Sequence, residues 1–192
     1  MDRRRKRTIA ATCLFALIVG VVGGWALSRS SDDVDANLTN PGVVQDPTIG
    51  TNVDTTGDVF EFVEMKKLSG GSSTPTLDGT PTVVNFWFST CQPCRREMPV
   101  LAAAATKYAG KVRFIGIDPN DTEESASAFL DKYGITYDIW LDDMGDQVAT
   151  AKVGNMPTTF FLDKSGRVVS MHAGELTAAD LDEAIAGLGV TG

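Results

Sequence analysis

Two cysteines separated by two residues, Cys91 and Cys94, carry the strongest chemical signal in this 192-residue chain. A pair at this spacing closes a small ring that can be opened and reformed by thiolate exchange. One thiolate attacks a disulfide sulfur, and the second resolves the mixed disulfide. Upstream lies Val83-Val84-Asn85-Phe86-Trp87-Phe88, a mostly apolar, β-prone run of the kind found in a strand buried on both faces. Ser89-Thr90 breaks it, and beyond Cys94 the chain continues through Arg95, Arg96 and Glu97 into an Ala-rich segment with helical character. Cys91 therefore falls at or just before a first helical turn, where backbone N–H groups lack intrahelical partners and the helix dipole is positive. Both favour the thiolate, the reactive form of cysteine. Pro93 suits that turn, since the N–H it lacks would be an orphan there. Cys91, nearer the helix end, is the expected nucleophile and Cys94 the resolver. The other readings of the pair are a structural disulfide or half of a metal site. Zinc usually takes four ligands, and the single histidine, His172, lies far along the chain; no metal and no cofactor are expected. Glu97 stands one helical turn beyond Cys94 and can face the same side. Its alternative is a solvated surface position, paired with Arg95 or Arg96.

These residues need a scaffold, and the sequence outlines one. Val59–Met65 alternates and reads as a first strand. The Ser/Gly/Thr/Pro-rich stretch 66–81 reads as loop, with room for a short strand near Thr76-Leu77. The strand ending at Phe88 feeds a helix from about Cys91 to Tyr108, stopped by Gly110. Val112–Ile117 is a strong strand. Asp121 or Thr122 can cap the next helix, whose apolar face shows Ala126, Phe129, Leu130 and Tyr133. A short strand near 137–141 and a short helix near 145–152 come next. Thr158–Leu162 and Arg167–Met171 form a hairpin, and Thr177-x-x-Asp180 opens the last helix as a capping box. Helix crossovers require parallel neighbours, while the hairpin adds antiparallel strands. The expected fold class is α/β, a mixed central sheet flanked by helices.

Charge divides the chain. Residues 1–29 hold six Lys/Arg and one acid, and residues 30–192 carry eleven Lys/Arg against 24 acids, a net charge of −13. An acidic body without a basic track argues against a nucleic-acid partner. Residues Thr8–Leu27 carry no charge, and twenty residues at about 1.5 Å each span the roughly 30 Å of a bilayer core. With the basic residues before this span, it reads as a single-pass transmembrane helix, a signal-anchor with its N-terminus cytoplasmic and the domain outside. A cleaved signal peptide with a site near Ala26-Leu27-Ser28, giving a secreted protein, is the alternative. Cys13 reads as a small apolar residue of that span. Residues 30–57 read as an acidic, disordered linker, and 58–192 as one folded domain of ordinary size.

A C-x-x-C between a hydrophobic strand and a helix resembles the thioredoxin-like redox motif. The longer pattern N-F-W-x-x-x-C-x-P-C-R-x-E-M-P, residues 85–99, resembles the membrane-anchored TlpA/ResA-like thiol-disulfide oxidoreductases, and the likeness runs from about Gly57 to the C-terminus. The resemblance implies a thioredoxin-like fold in the cell envelope and exchange with protein thiols and disulfides, apocytochrome c among them. It implies a membrane electron partner, either a CcdA-like thiol transporter or a disulfide-regenerating quinone oxidoreductase. It also implies that Pro157 is cis, that the Met156 backbone pairs with a bound peptide, and that Thr90, Gln92 and Pro93 border the substrate. On sequence alone an X-Pro bond is cis only about 5–6% of the time. Glu97 matches the family glutamate that tunes the cysteines and shuttles a proton.

The lack of His between the cysteines and the Pro beside Cys94 resemble the reducing members. A disulfide-forming oxidase, or a non-enzymatic thioredoxin-like binding domain, remains the alternative. A peroxidase is disfavoured, because Phe88 holds the position where peroxiredoxins carry a Thr. Two departures stand out. Asn85 takes the place of the buried Asp of thioredoxins proper, as in many TlpA/ResA-like members. Thr90 replaces the tryptophan that usually precedes the first cysteine.

Overall fold

The computed structural model describes residues 52–191, all within the second of two units of the chain, Asp46–Gly192. The expected anchor at 1–29, with Cys13, and linker residues up to 51 lie outside the described residues. Among the described residues, no helix is long and apolar enough to cross a membrane.

The strands are β1 (Met65–Lys67), β2 (Ser72–Ser73), β3 (Thr82–Phe86), β4 (Arg113–Asp118), β5 (Asp138–Leu141), β6 (Thr158–Leu162) and β7 (Val168–Ala173). The helices are α1 (Gln92–Lys107), α2 (Glu123–Tyr133), α3 (Asp146–Thr150) and α4 (Ala178–Gly187). One seven-stranded sheet runs β2-β1-β5-β4-β3-β6-β7. β3, β4 and β5 are parallel, joined by the α1 and α2 crossovers, and the outer pairings are antiparallel. This is a thioredoxin-like α/β fold with a mixed sheet.

β3 lies inside the sheet, between β4 and β6, and all five of its residues are buried. Successive strand side chains point to opposite faces. Val83 and Trp87 accordingly join Met98, Leu101, Phe129, Leu181 and Ile185 in the layer under α1, α2 and α4. Val84 and Phe86 join Phe60, Ile115, Ile117 and Phe160 in the opposite layer. Trp87 stacks on Phe129 at 4.9 Å. Gly116 of β4 makes room for this ring, since a Cβ there would come within 2.9 Å of Trp87 Nε1 and 2.5 Å of Ile139 Cδ1. Gly166 in the β6–β7 turn has a φ of 82°, and a Cβ there would also strike Leu77.

Three expectations need correction. The predicted strand at 59–65 is a strand only from Met65, apart from a single bridge between Val59 and Arg167. The Gln147 side chain takes the place of a ladder: Oε1 accepts from the Val63 N–H at 2.8 Å and Nε2 donates to the Glu61 carbonyl at 2.9 Å. The extra strand expected near Thr76-Leu77 forms instead at Ser72–Ser73, paired with β1. Finally, the linker does not extend to residue 57. Thr55 is buried, and the Gly57 N–H donates to the Val168 carbonyl at 2.8 Å, so residues 52–57 already belong to the folded body.

Candidate active site

The site forms where β3 passes into α1. Cys91 is the helix N-cap, in extended backbone geometry (φ −71°, ψ 110°). Its Sγ accepts from the Cys94 N–H at 3.2 Å, so the sulfur itself satisfies an orphan donor of the first turn. Pro93 sits inside that turn, as its missing N–H predicts. Cys91 and Cys94 are joined as a disulfide with a Cα–Cα distance of 5.3 Å. Cys91 is 6% exposed and Cys94 is fully buried, so of the pair only Cys91 reaches solvent.

The Met156–Pro157 peptide bond is cis, and the Met156 carbonyl oxygen lies 3.8 Å from Cys91 Sγ. Thr90 and Gln92 are exposed beside the pair, and Pro93 and Met156 are half-buried. Of the sequence-predicted residues outside the helix turn, the structure brings Met156 to Cys91, while Pro157 behind it is buried.

Glu97 is fully buried on the same side of α1 as Cys94. One carboxylate oxygen accepts from Asn85 Nδ2 at 2.9 Å and the other from the Leu176 N–H at 3.0 Å. Asn85 Nδ2 also donates to Thr159 Oγ1 at 2.9 Å. Burial pushes the Glu97 carboxyl up to about 7, against the downward pull of Leu176 and Asn85. Its sequence neighbours do not pair with it: Arg96 binds Glu175 at 2.6 Å, and Arg95 donates to the Ser89 carbonyl at 3.1 Å.

Sequence reasoning missed a second buried carboxyl. Asp118, at the end of β4, is fully buried, and one of its oxygens accepts from the Asn120 and Asp121 N–H groups at 3.0 and 3.1 Å. Burial lifts it to about 7, and the neighbouring Asp121 carboxyl adds to the rise. Asp121 in turn accepts from the Ser89 N–H at 2.5 Å and the Ser89 hydroxyl at 2.6 Å. Burial raises Asp121, but these bonds outweigh it and hold the group below the usual carboxylate range. The sequence offered Asp121 and Thr122 as rival caps for α2. Thr122 is the cap, and Asp121 turns back onto the residue two places before Cys91. Among the described residues, no group of His, Cys, Asp and Glu is arranged to hold a metal ion.

Comparison with known proteins follows this geometry. The model of the AhpC/TSA family matches residues 55–171. The thiol-disulfide oxidoreductase ResA of Bacillus anthracis is 35% identical over 107 residues, covering 55% of this chain and 62% of that protein. The match therefore spans less than two thirds of the ResA length. The thioredoxin-like protein YneN of Bacillus subtilis is 33% identical over 123 residues, covering 62% of this chain and 72% of its own. Among solved structures, a secreted disulfide oxidoreductase of Mycobacterium tuberculosis homologous to E. coli DsbE superposes with a TM-score of 0.61. It shares 25% identity, over 66% of this chain and 96% of that one.

Proposed function

Since the chain belongs to the AhpC/TSA family, we propose that it is a thiol-disulfide oxidoreductase of the ResA type, acting on exported protein substrates, mainly as a reductant. The observation that carries this reading is the Cys91–Cys94 disulfide at the N-terminus of α1, with only Cys91 reachable and the Met156 carbonyl beside it. In the reduced protein, the helix N-terminus favours the Cys91 thiolate. That thiolate attacks a substrate disulfide and releases one substrate thiolate. Cys94 then attacks the Cys91 sulfur, forming the intramolecular disulfide and releasing the second thiolate. Two electrons pass to the substrate, and the two thiolates it releases take up protons. The buried Glu97 carboxyl, poised near neutrality, is suited to take the Cys94 proton during the second step.

Thr8–Leu27 anchors the protein in the membrane with the domain outside, where apocytochrome c or another exported protein is the substrate and a membrane thiol carrier restores the dithiol. The uncharged span behind a basic N-terminus supports this placement. Retention of the full chain in the membrane fraction after a carbonate wash is expected. A mature N-terminus near Ser28 would instead mean a secreted protein.

The activity is tested on the purified protein by reduction of insulin and by oxidative refolding of a reduced substrate. Cys91→Ser is expected to abolish both. Refolding activity without insulin reduction would favour the oxidase, and silence in both would favour a binding domain.

A further inference from the structure

Asn52 is the first described residue, 39 positions before Cys91 in the numbering, yet its side chain binds the loop that faces the disulfide. Asn52 Oδ1 accepts from the Gly154 N–H at 2.7 Å and the Asn155 N–H at 3.1 Å. Its Nδ2 donates to Asn155 Oδ1 at 3.1 Å and Thr158 Oγ1 at 2.5 Å. An amide has two donor hydrogens and two acceptor lone pairs, so these bonds use its full capacity.

The loop needs such support. Residues 153–157 lie between α3 and β6 and make no sheet ladder. Around Met156, the Asn155 carbonyl accepts from Thr158 Oγ1 at 2.9 Å and the Pro157 carbonyl from the Gly174 N–H at 2.8 Å. Asn52 thus supplies the N-terminal half of a hydrogen-bonded frame, inside which the Met156 carbonyl faces Cys91 Sγ. Asn52 is itself held in register. The adjacent Val53 N–H donates to the Lys152 carbonyl at 3.3 Å, and Thr55 is buried.

We infer that Asn52 is a positioning residue of the substrate loop, acting through Gly154 and Asn155 to hold the Met156 backbone where a bound polypeptide pairs beside Cys91. The inference rests on the exchange reading above and deepens it: the segment leading into the domain is part of the polypeptide-binding site. An extended polypeptide binds through main-chain hydrogen bonds, so a loop displaced by about 1 Å loses much of its grip. A small disulfide needs only access to Cys91 and does not use the loop backbone.

The test compares full-length wild type, Asn52→Ala and Asn52→Asp. Insulin reduction driven by dithiothreitol gives KM and kcat, and a single turnover of the reduced protein on a small aromatic disulfide gives the intrinsic rate. Asn52→Ala is expected to raise the insulin KM about tenfold, as two backbone donors lose their acceptor. Its rate on the small disulfide should stay within about twofold of wild type, because uniform binding and chemistry separate in this way. Asn52→Asp keeps both acceptor bonds but loses both donations, to Asn155 Oδ1 and Thr158 Oγ1, and should recover part of the insulin KM. An unchanged KM in Asn52→Ala, a parallel loss on both substrates, or no recovery in Asn52→Asp would overturn the inference. If wild type reduces neither substrate, the exchange reading itself is at fault.

Discussion

Glu97 and Asp118 are both fully buried, and burial raises both to about 7, but they support the cysteine turn in different ways. Both Glu97 oxygens accept hydrogen bonds, from Asn85 and Leu176. Each oxygen keeps a second lone-pair site, so a proton on Glu97 need not displace either donor, and Asn85 Oδ1, which has no partner, can receive that proton if the amide turns. Asp118 takes both of its N–H donors on one oxygen, while the other receives none. When protonated, Asp118 can donate to Asp121, which Ser89 keeps ionised. When Asp118 loses the proton, two like charges meet beside the Ser89 turn. A proton on Glu97 would change the charge one helical turn from Cys94, whereas a proton on Asp118 would change the grip on the turn before Cys91. Equal acidity does not mean equal function; the donors around each group decide.

The largest expected effect lies in what the two acids share. Their folded values are raised, so the native state keeps protons that the unfolded chain has released by about pH 4–5. Stability should therefore be greatest at the acidic end of this window and fall as pH rises through about 7, by about 3 kcal/mol for each acid. Asp121 and Asp138 are shifted down, so their contributions are lost below this window, as pH falls through their folded values. Urea midpoints at pH 5 and pH 8 measure the slope. Glu97→Gln and Asp118→Asn should each flatten it, and the double variant most. Profiles parallel to wild type would show that burial does not set these acidities.

A smaller effect separates the two supports. Asp121→Ala removes both bonds to Ser89 and leaves a part-buried N–H without an acceptor, at a cost of about 2 kcal/mol. Ser89→Ala removes only the hydroxyl bond, at about 1 kcal/mol. Urea unfolding at pH 7 tests the order. Equal losses would mean that the Ser89 N–H bond contributes nothing and that Asp121 holds the turn through the hydroxyl alone.

What the sequence revealed and what it hid follow from the range of the interactions. The β3–α1 junction was legible because its signals are local: an apolar run, a break, Pro93 in the first turn and a cysteine at the cap. The cis bond at Pro157 was legible through family resemblance, not through periodicity. Glu97 was placed on the correct face by helical spacing alone, but its partners Asn85 and Leu176 are 12 and 79 residues away. Asp121 reaches back 32 residues to Ser89, Gln147 reaches 84 to Val63, and Asn52 reaches 106 to Thr158. Single polar side chains bonding across such spans leave no periodic trace. This is why 59–64 read as a strand and 52–57 as linker.

The smallest predicted effect decides whether Glu97 acts on the cysteines at all. A nearby carboxylate disfavours a thiolate, so Glu97→Gln should lower the Cys91 pKa, by about one unit or less. The effect is confined to the pH range in which Glu97 is ionised. Below about 7 the wild-type carboxyl is protonated and resembles the amide, so the two proteins should converge there. Where the two titrations overlap, the wild-type thiol curve should be shallow, whereas the Gln variant should follow a single steep step at lower pH. Asp118→Asn is the control: it removes an acid of the same elevated acidity but should leave the shape of the thiol curve unchanged. Rapid alkylation against pH, in a Cys94→Ser background, isolates the Cys91 thiolate in each case. If Glu97→Gln and the parent superimpose, Glu97 is a buried structural acid like Asp118 and leaves the catalytic set. If Asp118→Asn reshapes the curve as well, the two carboxyls act as one system, and the distinction between charge and grip fails.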